Sequence, residues 1–294
     1  MRVLFYTGGM TGSGHIVQGL ALAGAFRRAG VPLEYSILTL QSEFARLAEP
    51  FGVSLTTVPP EDESALGPGR FRDSALFRAI QAAAPDVLVV DLYWFPLDAF
   101  LRDLPCRKIL LLRQIDPRFF RFRLPDRELV FRPSDYDLVL RTEPGFEPPF
   151  PSESVEPVII RNRDEILPRA AARADLGLSD GDQACLFAFN GKSGEGKEAW
   201  KSFSYLETEG WKVVRSDNRG GGLFPAADWF AAFDLLVCGA GYNAFWEARY
   251  FRKEAFFAPF PRRFESQARR VALCSDYEFE RNGADQLAER ILSL

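Results

Sequence analysis

Histidine is nearly missing from this sequence: 294 residues contain one, His15. Cysteine is sparse too. Cys106, Cys185, Cys238 and Cys274 are far apart and form no C-x-x-C pair, so a zinc site is not expected and the four read as reduced small hydrophobes. No apolar run approaches the ~18–20 residues that cross a bilayer. The opening MRVLFYTGG reads as a strand start rather than a signal peptide, and a cytoplasmic location is expected. A basic excess is also lacking. With a net charge of −4 and a pI near 5.4, the chain is not expected to bind nucleic acid, because phosphate affinity needs a concentrated basic face. Internal repeats and low-complexity tracts are absent. What remains is a chain that is 47% hydrophobic and 26% charged, long enough for two domains of roughly 150 residues each.

Apolar runs alternate with helical periodicity through the first half. They read RVLFYT (2–7), a helix over 16–29, PLEYSIL (32–38), a helix over 43–49, VSLTTV (53–58) and a helix over 72–84. DVLVVD (86–91), a helix over 97–101, RKILLL (107–112) and YDLVLR (136–141) follow. This βαβα rhythm predicts a parallel sheet covered on both faces. Residues 144–157, PGFEPPFPSESVEP, hold five prolines without periodicity and read as an interdomain linker. A second series then runs through VIIR (158–161), a helix over 166–175, ACLFAF (184–189), a helix over 198–209 and WKVVRS (211–216). It continues with FDLLVCG (233–239), a helix over 243–250, EAFFAPF (254–260) and helices over 265–274 and 284–294. The expected fold is therefore α/β with two doubly wound, Rossmann-like domains: 1–147, a linker over 148–157, and 158–294. In such folds ligands sit at the carboxyl ends of the strands.

Three loops lie at such ends. The first is GGMTGSGH (8–15), in which Gly8, Gly9, Gly12 and Gly14 precede a helix whose free N–H groups favour an anion. The dinucleotide pattern G-x-G-x-x-G is not met, because Gly12-Ser13-Gly14-His15-Ile16 runs into Val17, so tight NAD binding is disfavoured. His15 either caps the first helical turn or transfers protons, imidazole being the side chain that titrates near neutral pH.

The second loop is FNGKSGEGKEAW (189–200). It matches the front of a P-loop but places Glu198 where a Mg²⁺-binding Ser or Thr would stand, which argues against an ATPase or GTPase. Asn190, Gly191, Lys192 and Ser193 form either a phosphate-facing loop or a flexible polar one. The third stretch, FDLLVCGAGYNAFWE (233–247), ends a strand in Gly239-Ala240-Gly241 and opens a helix with Asn243, with Glu247 on the same helical face. Glu247 is either a solvated surface residue or a carboxylate placed to accept hydrogen bonds from a ribose diol.

Taken together, GGMTGSGHIVQGLALAGAF and DLLVCGAGYNAFWEARYFRKEAFFAPFPRRFESQ resemble the two signatures of the GT-B glycosyltransferases. The likeness is strongest to the family of the UDP-N-acetylglucosamine transferase of peptidoglycan lipid II synthesis. The resemblance implies two facing Rossmann-like domains and an inverting transfer of sugar from a nucleotide-diphosphate donor, UDP-linked by default, to an acceptor that is lipid-linked or a carbohydrate. It implies that His15 lies near the acceptor and the donor phosphates, lined by Gly12, Ser13 and Gly14. Gly241 and Asn243 would then underlie the diphosphate, Glu247 bind the ribose, Gln267 hold the donor sugar, and Asn190–Ser193 close over the nucleotide. The last helix would pack back on the N-terminal domain.

The chain departs from the family in FNGKSGEG, where G-G-S-x-G is usual, and in Ser266-Gln267, where a Gln pair is usual. The same fold also hosts nucleotide-sugar hydrolases and epimerases, which form the alternative, and a non-catalytic nucleotide-sugar-binding protein is a second alternative.

Negative charge on a leaving diphosphate can be met by helix N-termini and backbone N–H groups, so neither a metal nor another cofactor is expected. The acceptor hydroxyl needs a base. His15 is the candidate, with Asp91, which ends DVLVVD, in reserve. In RQIDPRFFRFRLPDREL (113–129), Arg113, Arg118, Arg121 and Arg123 surround Phe119, Phe120 and Phe122. The stretch either offers residues 118–124 to an anionic membrane face or a phosphorylated acceptor, or packs its phenylalanines inward while the arginines reach water.

Overall fold

The computed structural model describes residues 1–8, 12–62 and 65–294, so Gly9 of the first loop lies outside the described residues. The first sheet begins with β1 (Arg2–Thr7), the helix α1 (Gly14–Arg28), β2 (Glu34–Leu40), β3 (Ser54–Val58), α2 (Ala75–Ala83), β4 (Val87–Asp91) and β5 (Arg107–Leu112). A short antiparallel hairpin of β6 (Arg121–Arg123) and β7 (Glu128–Val130) leads to β8 (Leu138–Arg141) and β9 (Glu153–Ser154). The seven strands of the sheet run parallel in the order β3-β2-β1-β4-β5-β8-β9. Each strand of β4 and its neighbours is apolar on both faces because helices and turns cover both, and every residue of β4 is buried. Gly19 allows α1 to lie against the sheet, since a Cβ there would come within 2.8 Å of Ile37 and 3.0 Å of Phe5.

The second half contains α3 (Arg169–Asp175), β10 (Ala184–Ala188), α4 (Glu195–Phe203), α5 (Tyr205–Thr208), β11 (Lys212–Ser216) and β12 (Leu235–Gly239). It closes with α6 (Tyr242–Tyr250), β13 (Ala255–Ala258), α7 (Gln267–Cys274) and α8 (Gly283–Leu292). Its sheet has four parallel strands in the order β11-β10-β12-β13. In both sheets the first strand stands inside the order and the chain switches direction beside it, at β1/β4 and at β10/β12, which is where such sheets open a crevice.

Several expected elements take another form. The helix over 43–49 is a 3₁₀ turn, Ala45–Phe51, because Pro50 has no N–H to give to an α-helical bond. The helix over 97–101 is replaced by two short 3₁₀ turns, Phe95–Leu97 and Leu101–Asp103. The helix over 198–209 is split at Ser204 into α4 and α5. VIIR is not a strand. Val158, Ile159 and Ile160 are buried, but side chains satisfy their backbone: Val158 N–H donates to Tyr242 Oη (2.9 Å), and Ile159 exchanges hydrogen bonds with Asn282 (3.0 and 2.8 Å). Apolarity there marks a buried crossing, and β10 becomes the first strand of its sheet. Residues 153–154, expected within the linker, pair with β8 as β9.

The helix α8 packs on α1. Ala284, Leu287, Ala288 and Ile291 share a core with Leu22, Ala25 and Phe26, and Arg28 Nη2 pairs with Asp285 at 2.6 Å. Among the described residues no helix is long and apolar enough to cross a membrane.

Candidate active site

Three neighbouring strand ends of the first sheet build one corner of a cleft. The register sets Thr7 beside Asp91 and Asp91 beside Leu111, so that Thr7, Asp91 and Arg113, just past β5, emerge together. His15, in the first turn of α1, reaches over them. Its Nδ1 stands 2.6 Å from Asp91 Oδ2, Arg113 Nη1 donates to Oδ1 at 3.0 Å, and Thr7 Oγ1 donates to Oδ2 at 3.3 Å. A carboxylate only accepts, so the hydrogen sits on Nδ1 and Nε2 keeps its lone pair. Burial would raise the Asp91 carboxyl, but the Arg113 guanidinium and His15 outweigh it and hold it below the usual carboxylate range.

The chain turns sharply after Asp91 through Leu92, a non-glycine residue at φ 67°, where Leu92 N–H donates to Leu111 O (3.1 Å) and Tyr93 N–H to Asp91 O (2.8 Å). This sparsely populated backbone conformation brings the Tyr93 ring to 5.1 Å from the imidazole, edge to face.

The opposite wall comes from the second sheet. Loop 189–195 follows β10, and Gly241 caps α6 after β12. The helices α1 and α6 meet start to start, because Asn243 Nδ2 donates to Gly14 O (3.1 Å) and Asn243 Oδ1 accepts from Gln18 Nε2 (2.7 Å). Their first-turn N–H groups, which have no partner inside a helix, therefore converge on one place. The cavity between the walls measures about 530 Å³, within the range of small-molecule sites.

Gly12, Ser13, Gly14, His15, Asn190, Gly191, Lys192, Gly241, Asn243, Glu247 and Gln267 all line this cavity. Ser193 does not; it is exposed, outside the wall. Asp91 stands behind His15 and is 1% exposed.

Several of these side chains are already engaged. Ser13 Oγ accepts from Asn218 Nδ2 (2.9 Å), Asn190 Oδ1 from Asn218 N–H (2.7 Å), and Gly191 O from Arg219 Nη1 (2.8 Å). Asn243 spends its amide on joining the two helices, so only its backbone can face a ligand. Gln267, buried, accepts from Phe260 N–H at 2.8 Å.

Glu247 is different. It lies among Leu236, Cys238, Ala244 and Phe230 on the cavity wall and has no hydrogen-bonding or charged partner among the described residues. Burial pushes its carboxyl up to about 8, with a smaller contribution from Asp228. Glu247 thus stands on the cavity wall, half-buried.

The P-loop likeness dissolves in the fold. Glu198, at the position of the Mg²⁺-binding hydroxyl, is exposed and pairs with Lys201. Glu195, at the start of α4, is clamped by Arg262 through two contacts of 2.6 and 2.8 Å. Two D-x-D spacings occur, at 135–137 and 180–182, and both lie outside the cavity. Asp135 pairs with Arg102 and Arg132, Asp137 with Arg107, and Asp182 accepts from Ser179 N–H. Among the described residues no group of three or more His, Cys, Asp or Glu is placed to hold a metal ion.

Sequence reasoning gave no specific role to two features. One is a buried ion-pair network at the back of the cleft. Arg270, fully buried, bonds Glu143 and Glu265 and donates to Ala240 O (2.9 Å), while Glu143 also accepts from Gln114 N–H (2.7 Å). Arg113 was grouped with the arginines of 113–123; its position directly after a strand, like that of Asp91, was the available signal. The other feature is an aromatic face running outward from His15 through Tyr93, Phe119 and Phe264, with Phe119 and Phe264 5.3 Å apart. Phe119 and Phe120 are buried, Arg118 pairs with Asp116, and Arg121 reaches Glu128 at 3.6 Å. Phe119 and Phe120 thus pack inward, as the second alternative for 113–129 has it, while Arg118, Arg121 and Arg123 stay exposed.

No protein-family model matches the chain, and no curated sequence does. Solved structures do. The Streptomyces sp. SF2575 glycosyltransferase SsfS6 complexed with thymidine diphosphate aligns with a TM-score of 0.63 at 17% identity, covering 100% of this chain and 96% of that one. The spinosyn rhamnosyltransferase SpnG complexed with spinosyn aglycone aligns at 0.57 and 14% identity, over 100% and 90%. Acinetobacter baumannii MurG aligns at 0.53 and 12% identity, over 99% and 90%. The chain therefore has the GT-B fold of two Rossmann-like domains facing across a cleft.

Proposed function

We propose that this protein is a metal-independent, inverting glycosyltransferase that moves a sugar from a pyrimidine nucleoside diphosphate to a hydroxyl of an apolar, ring-bearing acceptor. One observation carries the reading. A His–Asp pair stands on one wall, the unpartnered Glu247 stands on the other, and two helix N-termini converge between them. Glu247, a cavity-lining carboxyl without a partner among the described residues, accepts the ribose hydroxyls. The α1 and α6 first turns meet the diphosphate, whose charge grows as the bond to the anomeric carbon breaks. His15 Nε2 takes the acceptor hydroxyl proton while the acceptor oxygen bonds to the anomeric carbon from the opposite face. Asp91 holds the imidazole and offsets the charge it gains.

UDP is the donor nucleotide that the lipid II resemblance implies, and thymidine diphosphate is the one named in the complex of SsfS6. The acceptor class rests on the wall of Tyr93, Phe119 and Phe264, which supplies flat apolar surface beside the base.

The test is a thermal-shift series with UDP, thymidine diphosphate and GDP, followed by donor consumption with and without aryl alcohols. A binding nucleotide at 100 times its Kd stabilises by roughly 2.7 kcal/mol. No shift with any nucleotide defeats the reading, and release of free sugar without an acceptor reassigns the site to hydrolysis.

A further inference from the structure

The proton transfer described above leaves Arg113 without a task, although it lines the cavity and is only 9% exposed. On the base side its Nη1 holds Asp91 Oδ1 at 3.0 Å, and its Nη2 lies 2.8 Å from His15 Nδ1 and 3.3 Å from Nε2. From the other half of the molecule, Tyr242, the first residue of α6, sets its ring 5.6 Å from the guanidinium, and Glu265 faces the same charge. The next residue along is gripped as well. Ser266 N–H donates to Gln114 Oε1 at 3.0 Å, and Gln114 N–H ends on Glu143, the partner of Arg270.

We propose that Arg113 is a positioning residue that couples the donor-binding half to the base. Its guanidinium fixes the Asp91 carboxylate, and through it His15, when the Tyr242 ring lies on its other side and the Glu265 charge stands nearby. The inference rests on the glycosyltransferase reading. A guanidinium strongly prefers water, and here Asp91 supplies one compensating charge from its own half. The second carboxylate, Glu265, and the aromatic face both come from across the cleft. Were that half to move away, Arg113 would gain water and lose the contacts that hold it over Asp91. The base is thus fully assembled only when the segment that carries α6 and Glu265 is in place. Arg113 is not assigned to the phosphates in this scheme, because its Nη1 donates to Asp91 Oδ1 and its Nη2 lies against the imidazole.

Several groups face this pair. Thr7 from β1 and His15 from α1 bond Asp91, while the Tyr35 and Tyr93 hydroxyls feel its charge. Glu265, Tyr242 and Tyr93 feel that of Arg113. Without Arg113, burial is opposed by fewer partners and the Asp91 carboxyl rises, so activity is lost at a higher pH on the acid side.

The experiment compares Arg113→Met, Arg113→Lys and Glu265→Gln with the intact chain, measuring kcat, nucleoside diphosphate Kd and the pH profile. Arg113→Met is expected to lower kcat about 100-fold with nucleotide Kd within about twofold, and to move the acid limb up by about one pH unit. Arg113→Lys recovers about tenfold of the loss and most of the shift, since a cation returns without the fork. Glu265→Gln moves kcat and the limb the same way, and adds little in the presence of Arg113→Met.

A tenfold loss of nucleotide affinity in Arg113→Met would make the residue a donor ligand and overturn the proposal, as would a kcat loss with an unmoved limb and no recovery by Lys. If Arg113→Met does not fold, Arg113→Lys and Glu265→Gln decide by the same readouts. Wild-type protein that binds no nucleoside diphosphate would instead sink the functional reading itself, a result visible before any variant is made.

Discussion

The two walls of the cleft use the same device, residues at the carboxyl ends of parallel strands, and are finished in opposite ways. On the first-sheet wall the Asp91 carboxylate is saturated by Thr7, His15 and Arg113. On the second-sheet wall Glu247 has no partner among the described residues, and Gly239, Gly241 and the first turn of α6 line the cavity. A wall whose polar groups satisfy one another is preorganised and costs nothing further when substrate arrives. A wall that leaves a half-buried carboxyl unpaired is less stable empty, and gains when a ligand brings the missing donors. Under the proposed function the first wall is the place for chemistry and the second the place for recognition.

The largest effect expected from this contrast is on rate. His15→Ala and Asp91→Asn should each lower transfer by roughly 10³–10⁴-fold, while nucleoside diphosphate affinity, measured by calorimetry, stays near that of the unaltered chain. A loss of nucleotide affinity in step with rate would erase the distinction between the walls.

Next comes Glu247, whose carboxyl is pushed up to about 8 from an ordinary 4.5. Between these values the native chain binds more protons than the unfolded one, so the stability this residue confers is complete below the lower value and is lost as pH rises towards the upper. Glu247→Gln removes that decline. The variant should exceed the unaltered chain in stability above pH 8 by up to roughly 4 kcal/mol, read as the difference in melting temperature across a pH series. Its nucleotide affinity should fall about tenfold through the lost ribose contact. Equal pH slopes for the two chains would mean that the carboxyl is charged and solvated.

How much of this was legible in the sequence also divides along the two walls. Asp91, His15 and the α6 segment stand next to a strand or a glycine-rich turn, and alternation of apolar runs with helical periodicity locates both. Nearly all the strands of the two sheets emerge from the same pattern. VIIR misled because a buried crossing and a buried strand share one composition, and only the partners of the backbone, here Tyr242 and Asn282, tell them apart. Arg270, Glu143 and Phe264 could not be found at all. Each acts through residues more than a hundred positions away, such as the Arg270–Glu143 pair and the edge-to-face contact of Phe264 with Phe119, and no local spacing encodes such meetings.

A smaller effect is expected at the aromatic face. Phe264→Ala removes the ring that continues Phe119 toward the rim, and should raise the KM for an aryl acceptor about tenfold with donor KM unchanged, in steady-state kinetics that vary each substrate in turn. A rise in donor KM instead would move that face to the recognition side.

The smallest effect separates two roles for one residue. The lipid II resemblance puts Asn243 under the diphosphate, whereas its amide is spent on Gly14 O and Gln18, both in α1 on the facing wall. Asn243→Ala deletes both bonds and leaves the backbone N–H groups of α6 where they are. Each bond contributes about 0.5–1.5 kcal/mol, and the loss of both should lower the melting temperature by roughly 2–6 °C in a chain of this size. Nucleotide affinity should change less than about threefold, since the groups that meet the diphosphate belong to the backbone. If affinity falls tenfold and the melting temperature holds, the side chain serves the ligand and the walls are linked by their other bonds, such as Arg270–Glu143, Ser266–Gln114 and Asn218–Ser13. If the melting temperature falls and affinity holds, Asn243 is the pin that keeps the preorganised wall and the open wall facing each other.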